Sequence, residues 1–166
     1  MMRRWLVIAA AIVFVDQAVK YAVVQYFASH PPIAVTSFFN LVLVYNTGAA
    51  FSFLADAAGW QRGFFIAIAL VASAWIVYLL RKYPRPSLFA AALTLVLAGA
   101  VGNVIDRILI GSVVDFLDFH AFGYHWPAFN VADSAITCGA VLLILDAFQP
   151  HRKDAEQAKL RAGGNR

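Results

Sequence analysis

Charge and cysteine are what this chain has least of. Only 13% of its 166 residues are Asp, Glu, Lys or Arg, while 62% are hydrophobic, which leaves too little polar surface for a water-soluble domain of this size. The composition is that of an integral membrane protein. The single cysteine, Cys138, excludes an internal disulfide and any Cys-rich metal centre. Its neighbours Ala135, Ile136 and Ala140 mark it as a small core residue of a helix. No internal repeat and no second domain is visible. No H-E-x-x-H or G-x-S-x-G segment occurs, so neither a zincin nor an esterase-type nucleophile elbow is signalled.

Lys and Arg are also missing from two long stretches, 30–60 and 108–131. Ten of the 13 cations lie in three groups: Arg3 and Arg4, then Arg81, Lys82 and Arg85, then Arg152, Lys153, Lys159, Arg161 and Arg166. A four-span chain puts all of these on one side, which by the positive-inside rule is the cytoplasm. Both termini are then cytoplasmic. The net charge of +4 is accounted for by this placement beside anionic lipid, and no nucleic-acid partner is implied.

Four apolar stretches, at about 5–27, 63–80, 88–107 and 132–148, approach the ~20 residues needed to cross ~30 Å of hydrocarbon. The first follows Arg3 and Arg4 like a secretory signal. No clean small-x-small cleavage site follows, however, and apolar character resumes at 21–27 beyond Asp16, Gln17 and Lys20, so it reads as a retained helix. Residues 1–150 are expected to form one four-helix transmembrane domain, and 151–166 a polar cytoplasmic tail. Pro84 and Pro86 make a tight link between spans two and three, with Ser87 placed to cap the next helix. Segments 33–45 and 110–119 are β-branched and aromatic, and read as short strands. Pro31 and Pro32 mark the exit from span one, and Asn46, Thr47 and Gly48 supply turn chemistry. A small sheet on the outer membrane face would dip Phe38, Phe39, Phe51, Phe53 and Trp60 toward the headgroups. The expected fold class is an all-α integral membrane protein: four transmembrane helices with a small extracytoplasmic β-sheet and periplasmic loops.

Polar residues in such a chain require a reason, because a carboxylate near lipid costs roughly 2.5–3.5 kcal/mol on insertion scales unless it is paired or working. Asp115 and Asp133 flank one connection between a span running outward and a span running inward, so they can meet at the outer rim. In an extended 110–119 segment Asp115 shares a face with Leu117 and Phe119, while Asp118 points the other way. Each has a competing structural reading. Asp133 stands three residues after Asn130, the spacing of a capping box, and Asp115 would also suit an edge strand that must avoid pairing.

Further polar groups gather in the same half of the bilayer. Asp16 and Lys20 stand four apart on one helix face, acid first, as a structural ion pair would or as a direct contribution to chemistry would. Asn103, Asp106 and Arg107 close span three; Asn103 and Arg107 share a face, and Arg107 can snorkel or pair with a carboxylate. Ala91, Ala92, Ala98, Gly99 and Gly102 need only close helix packing to explain them.

Two carboxyl groups held within a few ångströms of each other share a proton. One then acts as base on a water while the other donates to a carbonyl oxygen, which hydrolyses a peptide bond without a covalent intermediate. Rival chemistries are a Ser134 nucleophile with His120 or His125 and zinc on His120, His125, Asp115 and Asp118. Two non-peptidase readings also stand: a proton-coupled transporter using Asp16, Lys20, Asp115 and Asp133 as a relay, and a structural membrane subunit.

Five blocks in order carry a family resemblance. They are Asp16-Gln17-x-x-Lys20, Asn46-Thr47-Gly48-Ala49-Ala50-Phe51, Gly102-Asn103-x-x-Asp106-Arg107, Val114-Asp115-Phe116 and Phe129-Asn130-x-Ala132-Asp133-Ser134. Over nearly its whole length the chain resembles bacterial lipoprotein signal peptidase, also called signal peptidase II. The resemblance implies an aspartic intramembrane endopeptidase of the bacterial inner membrane. Its substrate would be a prolipoprotein, cut on the periplasmic side just before the cysteine that carries diacylglycerol. It also implies Asp115 and Asp133 as the catalytic dyad. Asp16, Lys20, Asn46, Gly48, Asn103, Arg107 and Asn130 match residues that shape the site or hold the substrate and the cyclic peptide antibiotics that mimic it. No cofactor and no metal is expected, the partners are the lipidated substrate and membrane lipid, and a monomer suffices.

Overall fold

The computed structural model describes residues 2–48, 59–83 and 87–148. Phe51, Phe53, Pro84, Pro86 and the 151–166 tail lie outside them. The chain order is α1 (Met2–Phe27), β1 (Ile33–Thr36), β2 (Phe39–Asn46), α2 (Trp60–Lys82), α3 (Leu88–Leu109), β3 (Val113–Ala121), β4 (Tyr124–His125) and α4 (Val131–Ala147). Three of these helices, α1, α2 and α3, are long and apolar enough to cross a membrane. The fourth has 17 residues, about 26 Å of rise.

Helix α3 is the hub of the bundle, packing on all three other helices and most extensively on α4. Ser87 caps it as the sequence predicts, its side chain accepting from the Ala90 amide at 3.1 Å. Along α1, α2 and α3 the contact is apolar, built from Trp5, Ala9, Ile76, Leu80, Leu93 and Leu97. Outward-facing positions such as Phe14, Val71 and Trp75 are apolar too, as expected of helices whose outer solvent is lipid. The α3·α4 seam is closer. A Cβ on Gly139 would come within 2.8 Å of the Ala92 carbonyl oxygen, and one on Gly99 would collide with the Ala132 carbonyl oxygen and the Ile136 side chain. Glycine at these two positions lets the backbones touch.

At the end where α3 stops and α4 starts lies a four-stranded antiparallel sheet of order β1-β2-β3-β4. The single strand read over 33–45 is two strands joined by a turn at Ser37 and Phe38. The strand read over 110–119 starts at Val113, because Gly111 takes φ 83°, a left-handed conformation that turns the chain out of α3. It then runs on through a turn at Phe122 and Gly123 into β4. Strand β3 places Asp115 opposite Val44 and Asp118 opposite Asn40. Strand β4 pairs with β3 only at His120 and Ala121, but next to Asp115 that side of β3 is covered by the segment before α4, the Phe116 amide donating to the Phe129 carbonyl at 3.1 Å; a buried Asp115 is therefore not an acid on an open edge. Cys138 also departs from expectation: it is exposed on α4 rather than buried in a core.

Candidate active site

Helix α4 begins with the capping box that its sequence predicts. The Asn130 side-chain oxygen accepts from the Asp133 amide at 2.9 Å, and the Asn130 amide donates to Asp133 Oδ2 at 3.3 Å. Capping engages only one carboxylate oxygen. The other, Oδ1, accepts from Asn103 Nδ2 at 2.7 Å. The two readings of Asp133 are therefore compatible, since one residue starts the helix and turns an oxygen toward α3.

Asp115 is delivered by the alternation of β3 and is 1% exposed. Its Oδ1 accepts from Asn130 Nδ2 at 2.7 Å and its Oδ2 from Asn46 Nδ2 at 3.0 Å. Asn130 Nδ2 also lies 3.3 Å from Asn103 Oδ1, so the paired amides of Asn103 and Asn130 link one aspartate to the other. Both aspartates line a cavity of about 750 Å³, together with Asn46, Gly48, Asn103 and Arg107. The Asp115 carboxyl is pushed up to about 7. Burial is the main cause, and the Asp133 charge adds to it; the hydrogen bonds from Asn46 and Asn130 and the Lys20 charge pull the other way.

Asn46 has a second task. Its side-chain oxygen accepts from the Gly48 amide at 3.0 Å, closing an Asx turn at the end of β2. Arg107 donates to the Gly48 carbonyl at 3.1 Å and to the Asn103 carbonyl at 3.3 Å, with its guanidinium 5.0 Å from the Phe65 ring centre. Its hydrogen bonds go to main-chain carbonyls, while its charge faces Asp133 and Asp115 without a direct ion pair.

Behind Asp115 and Asp133, Lys20 lies 3.0 Å from Asp16 and 2.9 Å from Asp106, and donates to Asn103 Oδ1 at 3.1 Å. The spacing of Asp16 and Lys20 predicts their ion pair. Asp106 as its third member, and Gln17 as a donor to Asp16 and Asp106, escaped the sequence reading. The available signal was their polarity at membrane depth, beside residues already singled out.

The rival chemistries lose their geometry. Ser134 Oγ donates to the Asn130 carbonyl at 2.8 Å, while His125 pairs with Asp118 at 2.8 Å and stacks on His120. These imidazoles belong to the Asp118 side of β3, the face opposite Asp115, which separates the serine from a base and divides the candidate zinc ligands. Among the described residues no group of three or more His, Cys, Asp or Glu side chains is arranged to hold a metal ion.

Comparison with known proteins gives the family and the fold. Residues 8–149 match the family model for signal peptidase (SPase) II. The lipoprotein signal peptidase of Cupriavidus pinatubonensis (strain JMP 134 / LMG 1197) is 56% identical over 149 residues, covering 90% of this chain and 85% of the relative. That of Janthinobacterium sp. (strain Marseille) is 58% identical over 142 residues, 86% of each. Two solved structures, each described as a bacterial membrane enzyme determined by the in meso method, share the fold at 36% identity. The one at 2.3 Å resolution superposes with a TM-score of 0.74 over 86% of this chain and 85% of its own, and the one at 1.9 Å with 0.72 over 88% and 93%. With a family match that runs over residues 8–149 and relatives at 56–58% identity over most of their length, the chain belongs to the signal peptidase II family.

Proposed function

We propose that this membrane peptidase removes lipoprotein signal peptides by an aspartic mechanism, with Asp115 and Asp133 as the dyad. The observation that carries the reading is the shared cavity in which Asn103 and Asn130 couple the two carboxyl groups. With one proton between them, the ionised partner takes a proton from water as it attacks the scissile carbonyl, and the protonated partner donates to the carbonyl oxygen. On collapse of the tetrahedral intermediate a proton passes to the leaving amine. The shared proton belongs to the pair rather than to either residue.

The substrate in this reading is a prolipoprotein cut just before its diacylglyceryl cysteine. Such a peptide is delivered in the plane of the membrane, so a site at one end of the helix bundle meets the bond at its natural depth. Asn46, Gly48, Asn103, Arg107 and Asn130 shape the cavity, and Asp16 and Lys20 support it from behind. Cyclic peptide antibiotics that mimic the substrate would occupy the same cavity. We further propose that residues 1–150 act as one four-span domain in the bacterial inner membrane, working as a monomer. Both termini, and with them the 151–166 tail, would be cytoplasmic and the cavity periplasmic. The absence of Lys and Arg from 30–60 and 108–131 supports that orientation.

Purified protein in detergent, supplied with a diacylglyceryl prolipoprotein, tests the dyad. Asp115→Asn and Asp133→Asn should each lose about 10²- to 10⁴-fold in rate, and EDTA should leave the wild-type rate unchanged. Cleavage near the wild-type rate in both variants would sink the assignment.

A further inference from the structure

The two backbone segments that present the dyad are each gripped at the residue just before the aspartate. The Ala132 amide, preceding Asp133, donates to Asp16 Oδ1 at 2.8 Å. The Val114 amide, preceding Asp115, donates to Asp106 Oδ2 at 3.1 Å. Asp16 comes from α1 and Asp106 from α3, so two side chains from different helices hold matching points on α4 and β3.

What joins those two grips is equally specific. Lys20 Nζ lies 3.0 Å from Asp16 Oδ2 and 2.9 Å from Asp106 Oδ2. It donates as well to Asn103 Oδ1 at 3.1 Å, and Asn103 in turn holds Asp133. An ammonium has three protons, and these three acceptors use them all. Gln17 Nε2 runs in parallel, 3.2 Å from Asp16 Oδ2, 2.8 Å from Asp106 Oδ1 and 3.2 Å from the Gly102 carbonyl oxygen. Gly102 has no room for a side chain here, since a Cβ would lie 2.7 Å from Asp16 Oδ2. Asp16, Lys20 and Asp106 are 1%, 3% and 5% exposed, so the bridge is shielded from water and little screened.

We propose that Asp16, Lys20 and Asp106 form a spacing clamp for the dyad, in which Asp106 positions Asp115 through the Val114 amide and Asp16 positions Asp133 through the Ala132 amide. Lys20 sets the distance between the two grips. Simple helix glue would tie α1 to α3 at any level of the bundle. It would not require both carboxylates to hold the amide immediately before a catalytic aspartate. The inference rests on the dyad reading and adds three positioning residues to it, Asp106 being the one outside the earlier set.

A clamp of this kind has a kinetic signature. The charges facing the pair are Lys20 from α1 and Arg107 from α3; Coulomb coupling between the two carboxyl groups falls as their separation grows, and that coupling holds apart the two apparent pKa values bounding the singly protonated, active pair. Loosening the clamp therefore narrows the bell-shaped pH profile of kcat. Asp16, Lys20 and Asp106 do not line the cavity, so KM should hold.

The full-length enzyme in detergent is assayed for kcat and KM across pH as wild type, Asp106→Asn, Asp106→Glu and Gln17→Met. Asp106→Asn keeps an oxygen for the Val114 amide but loses the charge opposite Lys20. It should lose roughly ten- to 100-fold in kcat at near-constant KM, with a narrower bell. Asp106→Glu, which restores the charge, should recover part of the width. Gln17→Met keeps every charge and removes one bridge, and should narrow the bell to a lesser degree. A folded Asp106→Asn with wild-type bell width overturns the clamp, whatever its kcat. Should that variant not fold, an unchanged profile in Gln17→Met overturns it instead. Failure of the clamp leaves Asp115→Asn and Asp133→Asn inactive, whereas failure of the dyad leaves those two variants active.

Discussion

Asp115 and Asp118 stand three residues apart on β3 and lead opposite lives. Asp115 faces the bundle, where burial and a second carboxylate push its pKa up to about 7. Asp118 faces the other way. Burial alone would raise it, but hydrogen bonds from Asn40 at 2.8 Å and from His125, with the histidine charges nearby, bring it below the ordinary value. A single strand thus offers a carboxyl that resists ionisation and one that welcomes it. The pleat decides which partners each one meets. Neutral amides on one face and an imidazole pair on the other do the rest.

The comparison can be broken first on the Asp115 side. Asn103→Ala removes the 2.7 Å donor to Asp133 and the acceptor of Lys20, and should cost about 10²-fold in kcat, as small misplacements of reacting groups do. Steady-state assay of the purified variant checks it; a loss confined to KM would place Asn103 in substrate binding alone.

A second measurement sharpens the contrast through pH. Because the folded-state pKa of Asp115 lies above its ordinary 3.8, Asp115 favours the folded protein fully below about pH 4, and that contribution is lost as pH rises toward 7. Asp118 has the opposite sign: its lowered value contributes stability above the usual carboxylate range, lost as pH falls through the lowered value. The Tm of wild type in detergent should thus decline between about pH 4 and 7 relative to Asp115→Asn. Against Asp118→Asn the difference should instead appear at the acidic end. Parallel curves for all three proteins would mean that the two surroundings do not differ energetically.

The smallest effect belongs to Asp118→Asn at neutral pH. Its histidine partner is 57% exposed, so the pair is screened and worth no more than about 1 kcal/mol. Cleavage should stay near the wild-type rate; a loss comparable to that of Asn103→Ala would place the second face of β3 in the chemistry.

Much of this molecule was legible in one dimension because the membrane is a demanding solvent. Apolar runs marked the helices, and turn residues such as Asn46 and Ser87 act where their side chains can bond the backbone. Asp16, Lys20, Asp115 and Asp133 stood out because carboxylates and ammoniums at that depth need partners. Less legible was the sheet. The 33–45 segment has no Gly or Pro at Ser37 and Phe38 to announce its turn, and the Phe122 turn carries a bulky residue at φ 53° against local preference.

What the sequence determined by itself was therefore which residues are anomalous and at which end of the bundle they lie, since hydropathy and alternation are local properties. Tertiary structure alone decided who meets whom. Asp106 and Gln17 gain their roles from α1 crossing α3, and Cys138 turned out exposed because helix phase, not local composition, chose its face. Asp133 caps and faces Asn103 at once because α3 and α4 approach closely at glycine. The physical reason is range: hydrogen bonds and ion pairs act over about 3 Å, and only the packed helices bring residues 85 or more positions apart in the chain within that distance.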